Sequence, residues 1–120
     1  MKTNRSVERY VMLQPIRAQL DPVGLVRLRD ISVQGACVEH SSEIPLGILV
    51  RIVIRLIPGT IPLTFEGVTL WSSPAATVHE QPPMYLCGIR FNQLTGALRS
   101  VLAQLCRHSV ARVVDEPIAS

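Results

Sequence analysis

The chain has 120 residues, 48% of them hydrophobic but only 4% aromatic, and carries a formal net charge of +3. That length fits one domain, and the apolar share is enough for a core that must be largely aliphatic. The positive charge is mild, so its kind says more than its amount: Lys2 is the one lysine and the remaining cations are arginine, the residue suited to bidentate phosphate contacts and to stacking on flat rings. A GC-rich genome produces the same excess.

Cys37, Cys87 and Cys106 are scattered, with no Cys-x-x-Cys spacing. They read as small apolar residues in a reduced compartment. No charged start followed by an apolar segment opens the chain. The apolar run from Ile44 to Leu63 is interrupted by Pro45, Arg51, Arg55, Pro58 and Pro62, which excludes membrane insertion there. The expected location is the cytoplasm.

Residues 1–10 are polar and charged, and read as a flexible N-terminal arm that carries Arg5 and Arg9. A first strand is expected over Leu13–Leu20, with Pro15 near its start or edge. Asp21-Pro22-Val23-Gly24 is a turn. Leu25–Ser32 alternates, with Val26 and Leu28 on one face and Arg27 and Arg29 on the other. Asp30-Ile31-Ser32-Val33-Gln34-Gly35 then makes a polar connection to a third strand, Ala36–His40. Its Asp and Ser offer short side chains for nearby backbone or a ligand, and its Gly allows positive φ or a close approach.

Ser41–Gly47 reads as a loop. Ile48–Leu56 has a clean two-residue period, with Arg51 and Arg55 outward. Leu63–Trp71 is a further strand, with Leu63 and Phe65 on one face, Val68 and Leu70 on the other, and a bulge expected at Glu66-Gly67. Trp71 reads as a core residue. Ser72–Pro83 is a long polar loop, and Met84–Asn92 the last strand, with Tyr85, Cys87, Ile89 and Phe91 on one face. Leu94, Leu98, Val101, Leu102 and Leu105 then recur at helical spacing behind Thr95 as N-cap, which predicts an amphipathic helix ending near Arg107 or His108. Residues after Val114 are expected to fray. The class is all-β: about six antiparallel strands in a small barrel or sandwich, with one C-terminal helix. The expected division is an arm over 1–10, the barrel and helix over 11–110, and a disordered tail over 111–120.

In this order the chain resembles a PilZ domain, the bacterial cyclic-di-GMP receptor module, as a stand-alone single-domain member. Arg5-Ser6-Val7-Glu8-Arg9 is similar to the family's Arg-x-x-x-Arg. Asp30-Ile31-Ser32-Val33-Gln34-Gly35 is similar to its Asp/Asn-x-Ser-x-x-Gly. Val68-Thr69-Leu70-Trp71 and Cys87-Gly88-Ile89-Arg90-Phe91 resemble its later strands. The resemblance spans roughly Arg5 to Arg107 and implies a six-stranded antiparallel β-barrel that binds cyclic-di-GMP through Arg5, Arg9, Asp30, Ser32 and Gly35, with no other cofactor.

The chemistry suits those residues. A guanine offers O6 and N7 as paired acceptors, which one guanidinium can satisfy; its flat face can also stack, or its N–H groups can bind phosphate. Asp30 can accept from the guanine N1 and N2 donors, Ser32 can donate, and Gly35 lets backbone approach the ligand. Taken without the resemblance, Asp30 reads as a partner of Arg29 or Arg27, and Ser32 as a turn cap. Asn4 stands where family members that bind a stacked ligand pair carry an additional Arg, which implies one ligand molecule here. The resemblance further implies a receptor and adaptor whose arm changes conformation on binding and which signals to a protein partner in motility, biofilm or secretion control, as a monomer or weak homodimer. The alternatives are a degenerate adaptor that does not bind nucleotide, and a small barrel that binds single-stranded nucleic acid, which the scarcity of aromatics disfavours. His40, His79 and His108 are isolated, and no nucleophile–base set, carboxylate pair or metal cluster is evident, so neither an enzyme nor a metal site is expected.

Overall fold

The computed structural model describes residues 6–55, 62–75, 83–92 and 111–117. Among the described residues seven strands follow one another: β1 (Ser6–Asp21), β2 (Gly24–Ile31), β3 (Gly35–His40), β4 (Leu49–Ile54), β5 (Leu63–Pro74), β6 (Tyr85–Phe91) and β7 (Ala111–Pro117). Their order in the sheet is β2-β3-β6-β5-β4-β1-β7, and β1 also pairs with β2. Every pairing is antiparallel. The β1–β2 ladder closes β1 to β6 into a six-stranded barrel, and β7 is appended outside that ring. The all-β expectation is met; the expected helix over Leu94–Leu105 lies outside the described residues.

Strand alternation builds the interior. Leu20, Leu28, Ile31, Val38, Ile44, Ile52, Ile54 and Cys87 are buried almost completely. All but Ile44 lie on strands and point to one side of the closed sheet. Each such aliphatic side chain contributes roughly 1.5–3 kcal/mol when removed from water. Tyr10 and Phe91 add aromatic rings to this core, and the partly buried Phe65 packs against it with its ring centroid 5.3 Å from that of Phe91. Leu46 and Leu49 remain exposed on the opposite side.

The backbone departs from the sequence expectations in four places. First, β1 is twice as long as expected and already extended at Ser6, where a mobile arm was the reading. Second, β7 occupies much of the expected tail. The two departures have one cause: Ser6–Met12 pairs residue for residue with Ala111–Pro117, so each segment supplies the other's hydrogen-bonding partners. Third, Pro15 falls where the β1–β2 register slips between Val11 and Ile16, a place that suits a residue without an N–H. Fourth, the β5 irregularity lies between Thr69 and Trp71, not at Glu66-Gly67. β4 and β5 pair without a break from Ile54↔Leu63 to Leu49↔Val68, so Gly67 marks no bulge. β5 also runs on to Pro74, into the stretch read as loop.

Candidate functional site

The Asp30–Gly35 stretch folds as a tight connection between β2 and β3. The Ser32 N–H donates to the Gly35 carbonyl at 2.8 Å. The Ser32 Oγ accepts from the N–H of Gln34 at 3.1 Å and more distantly from that of Gly35 at 3.4 Å. Ser32 is therefore a turn cap, as its residue type alone allows, and its hydroxyl hydrogen remains for another acceptor. The Gln34 carbonyl accepts from the Phe91 N–H at 2.8 Å, which clasps the turn to the end of β6.

Asp30 needs a bulge to reach the surface. Val26 and Leu28 point inward, so strict alternation would turn Asp30 inward with them. The β2–β3 register shifts between Leu28 and Asp30, making Arg29 the extra residue. Beyond it Ile31 takes the buried position, and Asp30 keeps 20% of its side chain accessible. Val11↔Asp30 pairing across β1–β2 brings the carboxylate near Arg9, whose Nε lies 3.8 Å from Asp30 Oδ1. Arg29 pairs instead with Glu39 at 3.1 Å. The reading in which Asp30 serves Arg29 or Arg27 therefore gives way to pairing between the two motifs. Glu39 and Glu66, which have no evident partner in the sequence, pair with Arg29 and Arg51.

Arg9, Asp30, Ser32 and Gly35 line one cleft of about 620 Å³ on the outer wall of the barrel, beside the turn. That volume lies within the usual range for small-molecule sites. Arg5 lies outside the described residues. Gly35 has a different task from the one its motif suggests. A Cβ there would run into the backbone carbonyl of Ile89, so glycine permits β3 to approach β6.

Trp71, Arg90 and Cys37 also line the cleft. Trp71 is 44% exposed, which corrects its assignment to the core. The bulge at Leu70 sets Trp71 opposite Gly88, and the indole lies in the space a Gly88 side chain would need. Thr69, the buried residue before that bulge, anchors the strand. Its Oγ1 donates to the Pro45 carbonyl at 2.7 Å and accepts from the Ile48 N–H at 3.2 Å. Arg90 is exposed and paired in register with Gly35 and Val68. Alternation along β6, with Cys87, Ile89 and Phe91 inward, is the sequence signal that places Gly88 and Arg90 on this wall. An aromatic opposite a glycine is the signal for Trp71, but the register that makes them neighbours is not visible without the bulge. The Cys37 thiol is pushed up from 9.0 to about 12, first by burial and then by the Asp30 carboxylate, with Arg29 and Arg9 pulling the other way. It sits in the wall as a neutral thiol.

The cleft thus combines a flat exposed indole, two guanidinium groups and one carboxylate. That set matches a ligand with an aromatic face, paired ring donors and anionic oxygens.

The fold has solved counterparts. It is similar to the PilZ domain, with c-di-GMP, of YcgR from Escherichia coli, at a TM-score of 0.66 and 15% identity over 90% of this chain and 95% of that one. It is also similar to the Bacillus subtilis inhibitor of motility, MotI/DgrA, at a TM-score of 0.61 and 15% identity, covering 90% of this chain and 51% of the other. No curated protein matches by sequence. The profile of the PilZ domain matches residues 3–108, and the chain belongs to the PilZ domain family.

Proposed function

We propose that this chain is a cyclic-di-GMP receptor and adaptor with no chemistry of its own. The observation that carries this reading is the meeting of Arg9 and Asp30, 3.8 Å apart, at a cleft that also holds the exposed indole of Trp71. Two motifs distant in sequence supply opposite charges to one site. Asp30 accepts from the N1 and N2 donors of one guanine, and Ser32 donates to a base or phosphate acceptor. Arg9, with Arg5 four residues before it, grips phosphate oxygens or a guanine Hoogsteen edge. Trp71 stacks on a base, and Arg90 adds a second cation for the doubly anionic ring.

Binding draws the Arg9 guanidinium from Asp30 toward the ligand, and the N-terminal segment that carries Arg5 rearranges with it. The altered surface is read by a protein partner in the cytoplasm, in control of motility, biofilm or secretion. One ligand molecule per chain is expected. The test is a calorimetric titration of the purified chain with cyclic-di-GMP, with GMP and GTP as controls. Saturable binding at one ligand per chain, absent with the controls, is the expected result. No heat with tens of micromolar protein would overturn the receptor reading in favour of an adaptor that does not bind nucleotide.

A further inference from the structure

β7 begins at Ala111, beyond residue 108, where the match to the family ends. It nevertheless pairs with the part of β1 that carries Arg9. The ladder runs from Ser6↔Pro117 to Met12↔Ala111, with Arg9 opposite Val114 near its centre. On the other edge of this half of β1, only Tyr10 and Val11 pair with β2 before the register slips. Among the described residues, Ser6–Arg9 therefore has no ladder partner other than β7. The backbone at Arg9 is thus paired along one edge with a segment from the far end of the chain.

We propose that β7 is a positioning strand for the binding site. It fixes the direction and register of Ser6–Met12, so that Arg9 stands beside Asp30 before any ligand arrives. The inference rests on the cyclic-di-GMP reading above. Backbone ordering that the ligand would otherwise have to impose is already in place, and preorganisation of this kind raises affinity without a new ligand contact. Linkage makes the effect reciprocal: if the ribbon favours binding, binding favours the ribbon by the same factor. Occupancy of the cleft is then felt at the C-terminal segment, which lies outside both motifs in the sequence.

The test uses the full chain with Val113→Pro and, separately, Val114→Pro. Adjacent N–H groups in a strand face opposite edges, so one of these prolines removes a bond to β1 and the other does not. Hydrogen exchange of the free proteins identifies which. The variant that loses the bond should lose protection over Ser6–Met12 and bind cyclic-di-GMP about tenfold more weakly, while the barrel's melting midpoint stays that of the wild type. The other variant should match the wild type in both. In the wild type, saturating ligand should slow exchange across Ala111–Pro117, a response that a merely structural strand would not give. Wild-type affinity in a variant that has lost the protection overturns the inference and leaves the receptor reading intact. So does exchange in β7 that is indifferent to ligand. Absence of binding in the wild type overturns both readings, and is seen apart from the exchange of the free protein.

Discussion

Replacing Arg9 by alanine separates recognition from stability. In the free protein Arg9 pairs with Asp30 through Nε at 3.8 Å, long for a hydrogen bond. Bare Coulomb attraction at that separation is about 4 kcal/mol in an effective dielectric near 20. Arg9 is 41% exposed, however, and measured pairs in such settings are worth about 0.2–1 kcal/mol. Loss of the pair should therefore cost the fold no more than about 1 kcal/mol. In the complex, the same guanidinium would make charge-assisted bonds of about 1.5–3 kcal/mol. After the lost Asp30 pairing is subtracted, the net effect on binding is about 2 kcal/mol, or roughly thirtyfold in Kd. Calorimetry gives the binding arm and urea unfolding the stability arm. Arg9→Lys should recover little, because it restores the charge but not the planar fork. A Kd for Arg9→Ala within threefold of the wild type would refute the reasoning, as would an unfolding loss well above 1 kcal/mol, which would make Arg9 a structural residue.

Gly35→Ala should behave in the opposite way, since its Cβ would meet the Ile89 carbonyl and backbone cannot swing aside. Overpacking of this kind costs about 1–3 kcal/mol, read as a lower urea midpoint with an unchanged slope. Trp71→Ala should weaken cyclic-di-GMP binding by about 1–3 kcal/mol, the usual value of one base stacked on one aromatic ring, with near-wild-type stability because the indole is half exposed; an unchanged Kd would remove the stacking role. Gly88→Val should displace the indole, shifting Trp71 fluorescence in the free protein. Cys37 gives a pH dependence: burial raises its folded pKa from the ordinary 9.0 to about 12, so its contribution is complete below pH 9 and declines between pH 9 and about 12. Cys37→Ala should flatten that decline in unfolding free energy, and an unaltered profile would assign it to other groups.

Legibility in the sequence followed the range of the interactions involved. Asp30, Ser32 and Gly35 belong to a short connection whose hydrogen bonds are nearly all local, so residue types alone announce a capped turn. Ile48 to Ile54 and Cys87 to Phe91 keep a strict two-residue period, and there the inward faces were readable. The bulges at Arg29 and Leu70 were not. A bulge is one extra residue between two ladders, and either neighbouring strand pattern reads smoothly through it. Trp71 was lost for that reason, as a Trp ending an apolar strand looks like core until the register at Leu70 is known. The β1–β7 ribbon was hidden differently. Arg-Val-Val-Asp-Glu shows no alternation, and its extended form comes from a partner more than ninety residues away. Gly35 was recognised but its reason was not, because the Ile89 carbonyl that excludes a side chain belongs to a strand far along the chain.

Siting the cleft on the outer wall, instead of at an open barrel end, has a consequence for how the protein can change. From Cys87 to Phe91, β6 alternates between the two tasks: the side chains of Cys87, Ile89 and Phe91 are buried, while Gly88 and Arg90 lie on the cleft wall. The same division holds at β2 beyond its bulge, with Ile31 inside and Asp30 outside. Charged cleft residues can therefore be exchanged with little effect on packing, which separates ligand preference from stability. Gly35 and Gly88 are the exceptions, because there the wall is backbone or a bare Cα, and a side chain of any kind fills space already taken by Ile89 or Trp71. Variation that tunes affinity should gather at Arg9, Asp30 and Arg90. Substitution at the two glycines should alter the cleft and the fold together.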